Sequence, residues 1–371
     1  MILVTGATGF LGKNLVIELR KRNEPVRALV RQSRSEVCLA LKELGVELAE
    51  GDITDETSVL KAMDGCQYVF HTAALVKTWV RDRLQFDHVN VEGLGNILDC
   101  AKKTKIEKVI YTSSFIALGP TDIPSPRLSL RGVPKKIGTT KQSKDEIASL
   151  TLAMTDEVTT ENRIIADENY VLAPRTFHND YERTKYLADQ LARKYVPEGL
   201  PVVILYPGVI YGPGEVTAGN IVVNLIQQYL NRKLPGLLGD GSKQWNYVYI
   251  NDVVTGHILA LEKALPGTRY ILGGENASMQ AFIKLLEELS GVPAPKWHIP
   301  FWLAKTTSAG EELLAYLFNR SPQNTRGTIE IYKHSWTYAS EKAEQELGYS
   351  HISLQEGLSR TLIWLRTINH G

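Results

Sequence analysis

The first twelve residues constrain this chain more than any other stretch. Met1-Ile2-Leu3-Val4 is an apolar run that passes directly into Thr5-Gly6-Ala7-Thr8-Gly9-Phe10-Leu11-Gly12, and helix-period residues continue from there to Lys21. Glycines at these positions let the backbone turn sharply, approach a pyrophosphate and pack helix against strand, while the helix N-terminus favours an anion. A glycine triplet alone is a weak signal, but here it sits between a strand and a helix, which is the context that supports it. Thr5, Gly6, Thr8, Gly9, Phe10, Leu11 and Gly12 are therefore expected to hold a dinucleotide. The strand opens at residue 2, so no signal or transit peptide is expected, and with the reduced cysteines read below a cytoplasmic location is the expectation.

The rest of the N-terminal half repeats the same alternation. Short apolar runs at Ile2–Thr5, Val26–Val30, Val46–Ala49, Tyr68–His71, Lys108–Thr112 and Val202–Tyr206 are separated by helix-period stretches at Phe10–Lys21, Glu36–Leu44, Glu56–Met63, Phe86–Lys103 and Tyr181–Tyr195. Such a pattern predicts an α/β fold, a Rossmann-type doubly wound parallel sheet covered on both faces. Ligands of these sheets bind outside the carboxyl ends of the strands. The dinucleotide-binding domain is expected over residues 1–210. A smaller, mostly helical substrate domain is expected over 211–371, with Trp245–Lys263 packing back on the first.

One stretch breaks the rhythm. Between Pro120 and Asp180 the chain turns proline-rich and then Lys/Ser/Thr-rich, over about 60 residues, far beyond an ordinary connection. The segment of about 123–161 is read as a flap near the site in preference to a surface insertion without function. Ile299–Phe318 is apolar-rich but carries Lys305, Glu311 and Glu312, so it is read as a surface or core helix, and no spanning membrane segment is expected.

Charge removes one class of partner. With 42 Lys+Arg against 41 Asp+Glu the net charge is +1, which provides no global basic field for nucleic acid. The three cysteines, Cys38, Cys66 and Cys100, have no metal-ligand spacing and read as reduced thiols. The eight histidines show no paired-ligand spacing either, so no metal is expected. No Gly-x-Ser-x-Gly turn supports a serine hydrolase.

Two further features bear on cofactor and catalysis. Enzymes using NAD usually carry an acidic residue at the end of the second strand, whereas this chain has Arg31, with Arg34 following. A guanidinium can pair the extra phosphate of NADP bidentately, so NADP is favoured and NAD stays open. Asp52 and Ile53, just after the third strand, are placed to meet the adenine. Tyr181 and Lys185 stand at i and i+4 on one helix face. A cation near a phenol lowers its pKa from about 10 toward the working range of a general acid or base.

Together, Thr5–Gly12, Asp52, His71-Thr72-Ala73-Ala74, Asn90, Tyr111-Thr112-Ser113-Ser114, Tyr181 with Lys185, and Tyr206-Pro207-Gly208-Val209-Ile210-Tyr211-Gly212-Pro213 resemble the extended short-chain dehydrogenase/reductases. Within them the chain looks most like the dihydroflavonol-reductase-like branch, and nearest to plant farnesol dehydrogenases. That closer likeness is carried by Val26–Arg31, Tyr111–Phe115, Leu205–Ile210 and Gly273–Ser278. The resemblance implies that Ser114 hydrogen-bonds the reacting oxygen, Tyr181 exchanges its proton, and Lys185 holds the nicotinamide ribose while tuning Tyr181. It further implies that Thr72, Ala73 and Ala74 line the cofactor and that the backbone of Pro207, Gly208 and Val209 meets the carboxamide. Asn90 is assigned either support of a relay water or a purely structural place on its helix, and a homodimer is common in the family.

Sugar-nucleotide members share the scaffold, so fold alone does not choose the reaction. Dehydratases of that kind place Asp-Glu after the catalytic Ser/Thr; this chain has Phe115-Ile116. Apolar bulk there, with Leu75, Trp79 and Trp245 as candidate neighbours, suggests a pocket for a hydrophobic small molecule, an isoprenoid alcohol, flavonoid or steroid, although Trp79 and Trp245 read equally as core aromatics. The expected activity is hydride transfer between nicotinamide and an alcohol or carbonyl carbon. An epimerase and a non-catalytic cofactor-binding protein are the alternatives, the latter opposed by the joint presence of Ser114, Tyr181 and Lys185.

Overall fold

A computed structural model describes residues 1–123, 164–170, 172, 175–214, 217, 219–318 and 320–369. The segment read as a flap, about 123–161, lies outside the described residues apart from Ile123.

Seven parallel strands form the main sheet: β1 (Ile2–Thr5), β2 (Val26–Val30), β3 (Glu47–Glu50), β4 (Tyr68–His71), β5 (Lys108–Thr112), β6 (Val202–Pro207) and, from much later in the chain, Arg269–Leu272. The order across the sheet is Arg269–Leu272, β6, β5, β4, β1, β2, β3. Alternation along β1 shows why both faces need cover: Ile2 and Val4 join one apolar layer and Leu3 the other. The order reverses beside β1, which pairs with β2 on one side and β4 on the other. That reversal opens the crevice in which such sheets bind ligands.

The sequence predicts six of these strands. The seventh, Arg-Tyr-Ile-Leu, is too short to show a period, and it pairs with β6 through Tyr270 opposite Leu205 and Leu272 opposite Pro207. It lies in the half read as mostly helical, so the main sheet draws on both halves of the chain. The helix Ile250–Lys263, between that strand and the smaller sheet, lies on the first helix, Phe10–Lys21, and against β5 and β6.

At Gly208 the chain leaves the main sheet. β7 (Val209–Tyr211) then pairs parallel with β9 (Gln244–Tyr249), which pairs antiparallel with β11 (Glu275–Ser278). β8 (Leu237–Leu238) and β12 (His298–Ile299) form a separate parallel pair, and Arg269–Leu272 is β10. Helices at Met279–Ser290, Phe301–Phe318, Arg326–Tyr332, Glu341–Leu347 and Leu354–Asn369 complete this part. The helix Phe301–Phe318 carries exposed Trp302, Leu313, Leu314, Leu317 and Phe318. Among the described residues no helix is long and apolar enough to cross a membrane.

Candidate active site

The glycine turn is built by contacts that permit no side chain. Gly6 has φ +74°, and a Cβ there would lie 2.6 Å from the Ala73 nitrogen. A Cβ on Gly12 would lie 2.2 Å from the Gly6 carbonyl oxygen. These two glycines close the turn against the loop after β4, where the Thr72 hydroxyl donates to the Thr5 carbonyl at 2.7 Å. Gly9 differs. A Cβ there would meet only the Gly6 oxygen, at 3.3 Å, and Thr8 and Gly9 are exposed. Gly9 also caps the helix Phe10–Lys21 without a side-chain hydrogen bond, and no acidic residue stands in the first turn. Among the described residues no side chain caps the first N–H groups of this helix or opposes its dipole at the first turn, which fits a pyrophosphate. Phe10 is buried beneath, and a Cβ on Gly214 would lie 2.6 Å from its ring. The segment after β7 thus crosses this turn, a contact that the sequence did not reveal.

Other expected cofactor residues lie along the same strand ends. Arg31 and Arg34 follow β2, are exposed, and form no ion pair among the described residues. The neighbouring Glu50 accepts a hydrogen bond from Ser33 at 2.6 Å. The Asp52 carboxylate accepts from the Thr54 nitrogen and hydroxyl, each at 2.9 Å. Ile53 is buried, and a Cβ on Gly93 would lie 2.8 Å from it. Pro207, Gly208 and Val209 span the break between β6 and β7. Asn246 seats this break: a Cβ on Gly208 would lie 2.4 Å from its Oδ1, while its amide also bonds Gly274, Asn276 and Tyr338. Asn246 was not singled out from the sequence; its one outward sign was the set of glycines, Gly208, Gly273 and Gly274, that make room for it.

Ser114, Tyr181 and Lys185 converge at the end of β5. Ser114 is extended, partly exposed, and caps the short turn Phe115–Ala117 by accepting from the Ile116 nitrogen at 3.3 Å. Ser113, its neighbour, is buried and its nitrogen donates to Leu205. The helix Asp180–Tyr195 begins where Asn179 caps it through the Glu182 nitrogen, which places Tyr181 in its first turn. Burial pushes the Tyr181 phenol up to about 12, and hydrogen bonding with Ser114 opposes that shift. Burial pushes the Lys185 ammonium down to about 8, opposed by the charge of Asp189. Its Nζ donates to the Thr112 carbonyl at 3.1 Å and stands 5.7 Å from the Tyr111 ring. Lys185 is thus turned to the strand end, and its effect on the phenol is not a direct hydrogen bond. His71, hydrogen-bonded to Thr5 at 2.8 Å, is held down to about 3 by burial and by the Lys185 charge, so it is a neutral imidazole at pH 7.

Asn90 lies in a π-helical turn, His88–Glu92. Its Oδ1 accepts from the Leu75 nitrogen at 2.7 Å and its Nδ2 donates to the Thr184 hydroxyl at 3.0 Å. These bonds tie the loop bearing Leu75 and Trp79 to the helix that carries Tyr181 and Lys185. Phe115 meets Trp245 at 6.1 Å between ring centroids, and Trp336 and Tyr338 at 5.7 and 5.6 Å. The structure therefore joins two of the four expected substrate residues in an aromatic cluster and places Leu75 and Trp79 on a different loop. Trp336 and Tyr338, which lie more than 200 residues from Phe115 in the chain, were not anticipated.

Residues 3–126 match the 3-beta hydroxysteroid dehydrogenase/isomerase family, and residues 140–273 match the NAD dependent epimerase/dehydratase family. A putative dihydroflavonol 4-reductase of Synechocystis sp. is 32% identical, over 99% of this chain and 94% of its own length. Sterol demethylase protein B of Methylococcus capsulatus is 29% identical, over 98% of each chain. Among solved structures, gox2253 aligns with a TM-score of 0.71 at 29% identity, covering 100% of this chain and 98% of that one. A UDP-glucuronic acid 4-epimerase of Bacillus cereus, solved with NAD, aligns at 0.69 with 22% identity over 99% of both chains, a likeness of fold alone. The parallel sheet, the open glycine turn and a relative of this identity across almost the whole length agree: this chain is an enzyme of the extended short-chain dehydrogenase/reductase family.

Proposed function

We propose that this enzyme transfers a hydride reversibly between NADP and an alcohol or carbonyl carbon of a hydrophobic small molecule. The observation that carries the reading is the meeting of the Ser114 hydroxyl and the Tyr181 phenol at the strand ends, with Lys185 buried beside them on the Thr112 carbonyl. Bound along the glycine turn, the nicotinamide dinucleotide would supply or accept the hydride. Ser114 then holds the reacting oxygen, and Tyr181 exchanges the proton that this oxygen gains or loses. Lys185 keeps a positive charge beside the site and meets the nicotinamide ribose. Asn90 acts by fixing the Leu75 loop against the catalytic helix. The backbone of Pro207–Val209, seated on Asn246, receives the carboxamide.

Two features favour an apolar substrate. Phe115 and Ile116 occupy the positions where a dehydratase carries its two acids, and Phe115 is buried in an aromatic cluster with Trp245 and Trp336. The names of the relatives, a putative dihydroflavonol 4-reductase and a sterol demethylase protein B, agree with ring-bearing substrates. Arg31 and Arg34 favour NADP, while Glu50 beside them and the NAD bound in related folds keep NAD as the competitor. The test is turnover of purified protein with NADP or NAD against farnesol, a 3β-hydroxysteroid, dihydroquercetin and 2-decanol, read as formation or loss of reduced nicotinamide. Interconversion of UDP-sugars without net change of cofactor would replace this reading with an epimerase.

A further inference from the structure

Behind the catalytic pair the same helix carries a second pair of charges. Tyr181, Lys185, Asp189 and Arg193 recur every fourth residue, so they form one row along the helix Asp180–Tyr195. Asp189 is fully buried. The Tyr206 hydroxyl donates to its Oδ1 at 2.7 Å, and Arg193 Nη2 lies 2.8 Å from its Oδ2 and donates to Tyr206 at 3.1 Å. Arg269, on β10, adds a second cation beside it.

A buried ion pair is commonly no more stabilising than apolar residues of similar volume. A carboxylate sealed below the sheet end thus has a poor account as a stability device. Its place one turn from Lys185 supplies a better one. We propose that Asp189 is a positioning residue for the catalytic pair: its rigid carboxylate is the counter-charge that keeps Lys185 protonated against Thr112, and Arg193 sets how much of that charge Lys185 feels. The inference rests on the reading of Tyr181 and Lys185 as the working pair.

The surroundings of each group support a single direction. Lys185 faces neutral His71 from β4, Tyr111 and the Thr112 carbonyl from β5, and Asp189 from its own helix. Asp189 faces Tyr111 from β5, Tyr206 from β6, Arg269 from β10, and Lys185 and Arg193 along the helix. Asp189 is the one acid in the first set. Removing its charge leaves Lys185 buried with no counter-ion, so its proton is lost at lower pH. Burial raises the Asp189 pKa and the Arg193 charge is the largest influence opposing that, so removing it weakens the counter-charge and the Lys185 proton is again lost at lower pH.

The experiment is a pH titration of the Lys185 side-chain resonance in protein labelled with 13C-lysine, assigned by its loss in Lys185→Arg. Asp189→Asn is expected to move the midpoint down by about one unit, and Arg193→Gln to move it down by a fraction of a unit. The alkaline limb of kcat for alcohol oxidation, a direction that needs the phenol without its proton, is expected to move the same way in each variant. KM should stay near wild type, and Asp189→Glu should restore most of the shift. A loss of packing alone lowers kcat in both variants without moving either midpoint. If Asp189→Asn fails to fold, Arg193→Gln still decides. A Lys185 midpoint unmoved, or moved up, in Arg193→Gln overturns the inference. Midpoints that move as expected in a protein that oxidises no alcohol overturn the dehydrogenase reading instead.

Discussion

The Arg175 guanidinium stands 2.6 Å from the Glu182 carboxylate, and both side chains are sealed from solvent, at 3% and 0% exposure. Arg175 also donates to the carbonyls of Ile116 and Ala117 at 2.8 and 3.0 Å, and Glu182 accepts from the His178 nitrogen. One end of this pair thus grips the turn that follows Ser114, and the other grips the helix residue next to Tyr181. The separation of the Ser114 and Tyr181 hydroxyls is set through it.

Arg175→Met should therefore harm both stability and catalysis, for separable reasons. Leaving Glu182 buried without a partner costs about 3–5 kcal/mol, read by urea unfolding. A double variant, Arg175→Met with Glu182→Leu, should recover much of that stability. It should remain about 100-fold low in kcat, because a small misplacement of the hydroxyls is enough to do this. Recovery of kcat together with stability would show that the pair serves the fold alone.

Tyr181→Phe removes the exchangeable proton and keeps the ring. Turnover should fall by roughly 10²–10⁴-fold with cofactor affinity near wild type, as measured by fluorescence titration. Ser114→Ala should be similarly damaging. Ser113→Ala should be much milder in turnover, since Ser113 is buried while Ser114 is partly exposed. Turnover of Tyr181→Phe within tenfold of wild type would remove Tyr181 from the reaction.

Arg31→Asp should shift cofactor preference toward NAD by about 10–100-fold in kcat/KM. It replaces a charge-assisted pairing worth about 1.5–3 kcal/mol with a repulsion. Arg31 has no ion pair among the described residues that would be lost with it, so folding should be unchanged. Wild-type protein that already prefers NAD tenfold would place Arg31 away from the ribose.

Two buried imidazoles predict an acid-labile fold. Burial lowers His71 to about 3 and His257 to about 4, while both titrate near 6.5 once unfolded. The unfolded chain therefore binds more protons, and the stability that these groups allow at neutral pH is lost as pH falls from 6.5 toward 4. The slope is about 1.4 kcal/mol per unit for each group. His257 accepts at Nε2 from Thr112 and donates from Nδ1 to the Val253 carbonyl. His257→Gln can keep both bonds without titrating. Urea unfolding at pH 7 and pH 5 should show a smaller loss in this variant than in wild type, by about 2 kcal/mol. Equal losses would show that His257 charges inside the fold.

Local sequence was enough to place most of what is periodic. The expected strands Ile2–Thr5, Val26–Val30, Tyr68–His71 and Lys108–Thr112 coincide with the structure residue for residue, because each is an apolar run bounded by turn residues. The order strand, glycine turn, helix likewise settled the first unit, since only residues without a Cβ fit where Gly6 and Gly12 approach Ala73 and each other. What tertiary structure alone decided depends on residues distant in the chain. Arg269–Leu272 becomes a strand because β6 offers it an open edge, not because four residues carry a period. Asn246 becomes the seat of Gly208, and Trp336 and Tyr338 close around Phe115, through pairings more than 30 residues apart that leave no local pattern. The direction of Lys185 follows the same rule. Spacing puts it on the face of Tyr181, but the Thr112 carbonyl and the buried Asp189 determine where its charge rests, and those are set by how the helix docks on the sheet.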